Sequence, residues 1–175
     1  TVSQNNVISN SGPNASTGGM FITVAETGAT ATITDNLVKG NSGRTGGGIY
    51  VSAGASGTAT VSDNKIIGNI AQQQGGGIFG NAWGSSPSLT IENNILHGNS
   101  VTSNFGDSGI NYLGTAIALQ TATSTLLVTD NTITGHAGTS IILVSCDGYY
   151  MSGNCDSDPV TVPTINNNNA INNSS

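Results

Sequence analysis

The side chains able to do chemistry are few and scattered. Two imidazoles occur, His97 in LHGN and His136 in GHAG, and the cations are Lys39, Arg44 and Lys65 against nine carboxylates. Asp35 and Asp63 occupy the same place in two similar phrases. If those phrases stack as neighbouring strands, the two carboxylates lie about 5 Å apart, the separation of a retaining glycosidase pair. The same place reads Gln4, Asn93, Asp130 and Asn167 in further copies, which fits an outward corner column better than a catalytic pair. Arg44 has no carboxylate near it in sequence. Cys146 and Cys155, in SCDGYYMSGNC, suggest a local disulfide and an oxidising compartment, with two free thiols as the other reading. They lack CxxC spacing and a nearby His, which argues against zinc. The following residues gather Asp147, Asn154, Asp156 and Asp158, oxygen donors of the kind calcium takes, or a plain acidic loop. Calcium is therefore the one cofactor these residues suggest, and the expectation is none. N-x-S/T sequons mark Asn14, Asn172 and Asn173 as glycosylation acceptors.

Composition narrows the partners. A net charge of −6 and a pI near 4.3 offer no basic patch for nucleic acid or an anionic membrane surface. No apolar run approaches the ~20 residues of a membrane-spanning helix, so no membrane insertion is expected. The hydrophobic 35% recurs at regular places, as disordered segments do not. Length favours one domain over 1–175, with 144–160 as a Cys-containing loop insertion. No secretory signal is written at Thr1, so a mature form or excised piece is expected. Paired cysteines and sequons place it outside the cell or on its surface.

The elements that hold these residues follow from an internal repeat. ITDNLVKGN at 33–41 is matched by VSDNKIIGN at 61–69, IENNILHGN at 91–99 and VTDNTITGH at 128–136, with weaker copies at 2–10 and 165–173. Apolar positions alternate, and Thr, Val and Ile dominate, so the repeats are strands and not helices. A second strand follows the glycines of each copy, as in GGMFI, GGIYV, GGIFG, GTAIAL and GTSIIL. The chain is therefore predicted to be all-β, a parallel β-solenoid of five to six coils in which each residue stacks on its counterpart. Asn5, Asn36, Asn64, Asn94, Asn131 and Asn168 form one corner ladder of amides. Asn10, Asn41, Asn69, Asn99, His136 and Asn173 form a second, in which His136 stands in for an amide. Segments of variable length, such as Gln72 to Gln74 and 103–112, are expected to be outward loops.

Two outward surfaces invite a function. Thr30, Thr58, Ser88 and Thr125 form one column beside Thr32, Thr60 and Thr90, a T-x-T array similar to the ice-binding faces of β-solenoid antifreeze proteins. Stacked threonines supporting one another are the bland reading, and Leu127 and Glu92 interrupt the pattern. Phe21, Tyr50 and Phe79, continuing into Ile117 and Ile142, form an apolar stripe on the second strand. Trp83, Tyr149 and Tyr150 sit in loops.

Repeats of the form TITDNLVKGN…GGGIY resemble the right-handed parallel β-helix repeats of bacterial and archaeal cell-surface proteins. Polymorphic outer-membrane-protein and CSLREA-type repeats are similar, and the pectate-lyase superfold more distantly so. The resemblance implies right-handed coiling and constrains activity little. Polygalacturonase-like sites need paired aspartates, a GHG histidine and an Arg-x-Lys pair, none of which is written here. The expected function is a non-enzymatic structural or adhesive solenoid, stacking head to tail through open coil ends or forming part of a longer chain. Ice binding is the alternative, and carbohydrate binding or cleavage, with glycans as partners, the third.

Overall fold

A computed structural model describes residues 1–12, 17–102, 115–121, 125–137, 142–146 and 164–173. The described residues contain strands and turns without an α-helix. Every strand pairing is parallel, and the partners come from successive coils. Each full coil visits four sheets. The first stacks Val2–Ser3, Thr30–Thr34, Thr58–Ser62, Ser88–Glu92, Thr125–Thr129 and Thr164–Asn166. The second stacks Asn6–Ile8, Leu37–Lys39, Lys65–Ile67, Ile95–His97, Thr132–Thr134 and Asn169–Ile171. The third holds Ser42–Thr45, Ile70–Gln74 and Ser100–Val101. The fourth holds Met20–Val24, Ile49–Gly54, Ile78–Trp83, Ile117–Thr121 and Ile142–Cys146.

The third sheet corrects the sequence reading. Gln72 to Gln74 lie in a strand and not in an outward loop, with Gln74 opposite Thr45 across a register shift. Three consecutive glutamines carry no apolar alternation, so nothing in side-chain type announces the strand. Backbone groups of the neighbouring coils supply the pairing instead. The fourth sheet is the expected second strand that follows the glycines, and it runs further than the repeats imply, to Gly54 and Trp83 in two of its strands. Gly47 shows why the glycines precede it: a Cβ there would meet the carbonyl carbon and oxygen of Ile70 and the carbonyl oxygen of Gly76 at 2.5–2.6 Å. Residues 144–146 of the expected insertion close the last of these strands, and 147–160 lie outside the described residues.

Inward columns form the core. Ile33, Val61, Ile91 and Val128 are fully buried, as are Val38, Ile66, Leu96 and Ile133 across the first corner. Ile49, Ile78 and Ile117 close the opposite side. Burial of each such side chain contributes about 1.5–3 kcal/mol. Size changes are compensated across the coil. Where Ala59 gives way to Leu89 in one sheet, Val51 gives way to Gly80 in the other, and a Cβ on Gly80 would meet Leu89 Cδ2 at 2.6 Å.

Two amide ladders occupy the corners on either side of the second sheet. Asn36 Nδ2 donates to Asn64 Oδ1 at 2.9 Å, Asn64 to Asn94 at 3.0 Å, Asn94 to Asn131 at 3.0 Å and Asn131 to Asn168 at 2.9 Å. The same Oδ1 accepts the backbone N–H of the preceding rung, as from Asn36 to Asn64 at 3.0 Å. Nδ2 also reaches carbonyls that the bent corner leaves out of the sheet, Ile33 and Ser62 in the case of Asn64. A short side chain with two donors and a two-lone-pair acceptor is what this position requires. Each rung follows a residue in the left-handed region. Asp35, Asp63, Asn93 and Asp130 precede the first ladder at φ 55–57°, and Gly40, Gly68, Gly98 and Gly135 the second at φ 58–67°. Asn, Asp and Gly are the residues that tolerate this conformation.

The second ladder runs Asn10, Asn41, Asn69, Asn99 and then His136. His136 keeps the backbone bond to the next rung, its N–H donating to Asn173 Oδ1 at 2.9 Å. Its Nδ1 lies 3.1 Å from the Asn99 carbonyl, which assigns the proton to Nδ1. Nε2 is buried without a hydrogen-bond partner. Burial is the main cause that holds the His136 pKa below its ordinary value, with repulsion from His97 adding to it and backbone acceptors opposing it.

Asn64→Ala is expected to destabilise the fold by about 3 kcal/mol, because it strands several buried partners at once. Asn5→Ala, at an exposed rung, should cost about 1 kcal/mol or less; urea titrations of both variants check the contrast. His136 is harder to protonate folded than unfolded, so stability is full above pH ~6.5 and falls as pH drops through that value, by at most about 1.4 kcal/mol per pH unit. His136→Asn should remove this component between pH 7.5 and 5.5, measured by denaturation midpoints.

Candidate functional site

The outer face of the first sheet is the most regular surface. Register pairs Thr30 with Thr58, Thr58 with Ser88 and Ser88 with Thr125. Beside them Thr32 pairs with Thr60 and Thr60 with Thr90, and the column then passes through Leu127 to Thr164. Neighbours are about 4.8 Å apart between coils and about 6.7 Å along a strand. Thr30, Thr32, Thr58 and Thr125 are exposed, and Thr60, Ser88 and Thr90 half-buried. The next column toward the corner differs. Ser62 and Thr129 are buried, Ser62 Oγ donates to Thr34 Oγ1, and Thr129 Oγ1 donates to Asp130. Hydroxyls there serve the corner, whereas those of the T-x-T columns face outward.

On the fourth sheet Phe21 and Tyr50 stack with centroids 4.7 Å apart, and Tyr50 and Phe79 follow at 5.1 Å. The register continues this column through Ala118, and it places Ile117 and Ile142 in the inward column instead. Exposure falls along the stack, from 59% for Phe21 to 3% for Phe79.

The candidate reactive residues do not converge. Asp35 and Asp63 stand exposed on successive left-handed corners, over a shallow depression lined by Gln4, Asn5, Asn36 and Lys65. Asp35 accepts from Thr34, an ordinary corner contact. His97 lies on the outer face of the second sheet in a column with Lys39 and Ile67, its Nδ1 2.9 Å from Thr134 Oγ1. His136 is inside the ladder, and Arg44 is exposed in the third sheet. Among the described residues no group of three His, Cys, Asp or Glu side chains is placed to hold a metal ion. Asn14, Cys155 and the loop carboxylates Asp147, Asp156 and Asp158 lie outside the described residues. Asn173 Nδ2 donates to the Ile133 carbonyl, so a glycan on that atom would displace a ladder bond. Asn172 is exposed.

The ladders give the molecule a direction that the repeats alone do not reveal. In the first ladder, and in the second from Asn10 to Asn99, each rung's side chain donates toward its C-terminal neighbour; at His136 only the backbone N–H continues in that direction, while Nδ1 donates back to the Asn99 carbonyl. Among the described residues, Asn5 Oδ1 and Asn10 Oδ1 receive no donor, and the backbone N–H groups of Asn168 and Asn173 reach no acceptor. Core residues of the outer coils are uncovered too, Val2 at 36% and Ile165 at 45%.

A family model described as a right-handed β-helix region matches residues 1–156. Neither a curated protein nor a solved structure matches the chain. With its parallel sheets stacked coil on coil, the chain belongs to the right-handed β-helix family.

Proposed function

We propose that this β-helix is a non-enzymatic structural or adhesive element of an extracellular or cell-surface assembly, in which coils continue head to tail from one copy to the next. The directional ladder is the observation that carries the reading. One outer coil offers amide acceptors and the other offers amide donors, in the same two columns. Val2 and Ile165 would be covered by the same contact, each side chain adding apolar burial. Such a contact is heterologous and does not close, so it generates filaments. Further coils of a longer polypeptide would satisfy the same groups. The scattered positions of His97, Arg44, Asp35 and Asp63 support a non-catalytic role. Kinship to the outer-membrane or CSLREA-type repeats belongs to this proposal.

Ice binding is the second reading, and the outward T-x-T columns favour it. Their hydroxyls and methyls form a flat two-dimensional array at strand and coil spacing. Three cations and a low charge density leave water on this face little disturbed.

Negative-stain micrographs and sedimentation at rising protein concentration should show linear filaments, and Ile165→Arg should abolish them while leaving the circular dichroism spectrum unchanged. A monodisperse monomer at every concentration would overturn head-to-tail stacking. For the second reading, thermal hysteresis should appear in a nanolitre osmometer and vanish in Thr60→Tyr; its absence in the parent protein dismisses ice binding.

A further inference from the structure

Trp83 is held differently from the stacked rings of Phe21, Tyr50 and Phe79. It ends the strand Ile78–Trp83, on the outward side of the fourth sheet, directly beside Gly54 of the preceding coil. A Cβ built on Gly54 would meet three consecutive carbons of the indole, Cζ2, Cε2 and Cη2, at 2.6, 2.8 and 3.2 Å. Cζ2 is the nearest, and its two bonded neighbours lie only slightly farther, as when the Cβ stands over the face of the ring and not off its edge. The indole therefore lies flat on the sheet, over the one residue in that strand that leaves it room. Its Nε1–H donates to Ser52 Oγ at 3.1 Å, which fixes the in-plane orientation. Trp83 remains 48% exposed. One face is thus pressed on Gly54 while the outer side of the ring is open to solvent.

The surroundings are polar and hydrogen-bonding. Two residues back on the same face stands Asn81, half-buried, and its register partner on the next coil is Gln120, also half-buried. Thr23 and Ser52 continue that column across the earlier coils. The three cations lie elsewhere, Lys39 and Lys65 in the second sheet and Arg44 in the third.

The geometry points to Trp83 as a stacking platform for one sugar ring of a neutral glycan, with Asn81 and Gln120 hydrogen-bonding to its hydroxyls. A pyranose whose hydroxyls are all equatorial presents flat patches of C–H on both faces, which suit the electron-rich face of an indole. Its rim of hydroxyls suits amide side chains that both donate and accept. An acidic glycan is disfavoured by the −6 net charge and by the lack of a cation in this sheet among the described residues. A β-linked glucose oligomer has the required shape and no charge. This assignment does not depend on coil stacking, since the platform lies on the side of the helix and not at its ends.

Trp83 is the sole tryptophan, so intrinsic fluorescence reports this point alone. Titration with cellohexaose should shift its emission saturably. Calorimetric affinity should fall on the order of tenfold in Trp83→Thr and stay near the parent value in Trp83→Phe, reflecting the loss or retention of ring stacking. Gly54→Ala, which lifts the indole from the sheet, should weaken binding without removing the ring. An unchanged emission spectrum overturns the proposal, as does undiminished binding by a Trp83→Thr variant that melts like the parent. An equal response to polygalacturonate overturns the assignment to neutral glycans. None of these outcomes bears on filament formation, which the Ile165→Arg comparison reads separately.

Discussion

The buried side-chain amide is the constraint on which this structure depends. Asn64 is 1% exposed, and so are Asn94 and Asn131. Polar groups at that depth are tolerated only when each finds a partner. The partner of each amide is its own counterpart one coil away, so the coils must stack in register. A slip of one residue would orphan the amides and also turn the inward isoleucines and valines outward. Polar and apolar columns thus enforce the same register. Because the amide also takes up the carbonyls left over at the corner, it lets the chain bend sharply without unpaired backbone.

That arrangement divides the molecule into an inside that is nearly invariant along the axis and an outside that is free to vary. Irregularities inside are compensated by a neighbour. Leu89 is met by Gly80, and at His136 the backbone N–H keeps the bond to the next rung while the imidazole Nδ1 takes the Asn99 carbonyl. His136 is an incomplete substitute, since Nε2 has no partner at that depth and burial holds the ring neutral. Outside, the same stacking turns single residue choices into arrays. A threonine repeated in each coil becomes a column, and a lone tryptophan finds a flat bed where the coil before it carries glycine. A solenoid of this kind offers surfaces before it offers clefts, and among the described residues the reactive side chains are dispersed over them.

Much of this was legible from the chain, because stacking makes spatial neighbours recur at a fixed interval in sequence. The ladder of Asn5, Asn36, Asn64, Asn94, Asn131 and Asn168 is in place rung by rung, as are the inward columns on either side of it. The threonine columns also pair as the repeats imply. The strand through Gln72 to Gln74 was not legible, because it is held by backbone bonds that any side chain allows. Nor was the aromatic stripe followed correctly past Phe79, since the change in coil length there hides which of Ile117 and Ala118 faces inward.

The sequence by itself determined the all-β class, the coil period and the identity of the stacked columns, because these arise from residue type repeated at equivalent positions. Tertiary structure alone decided the left-handed corners before each rung, the direction in which the amides donate, and the flat seat of Trp83 on Gly54. Each of these depends on how an atom is oriented toward the neighbouring coil, and orientation is set by packing between coils that no single strand specifies.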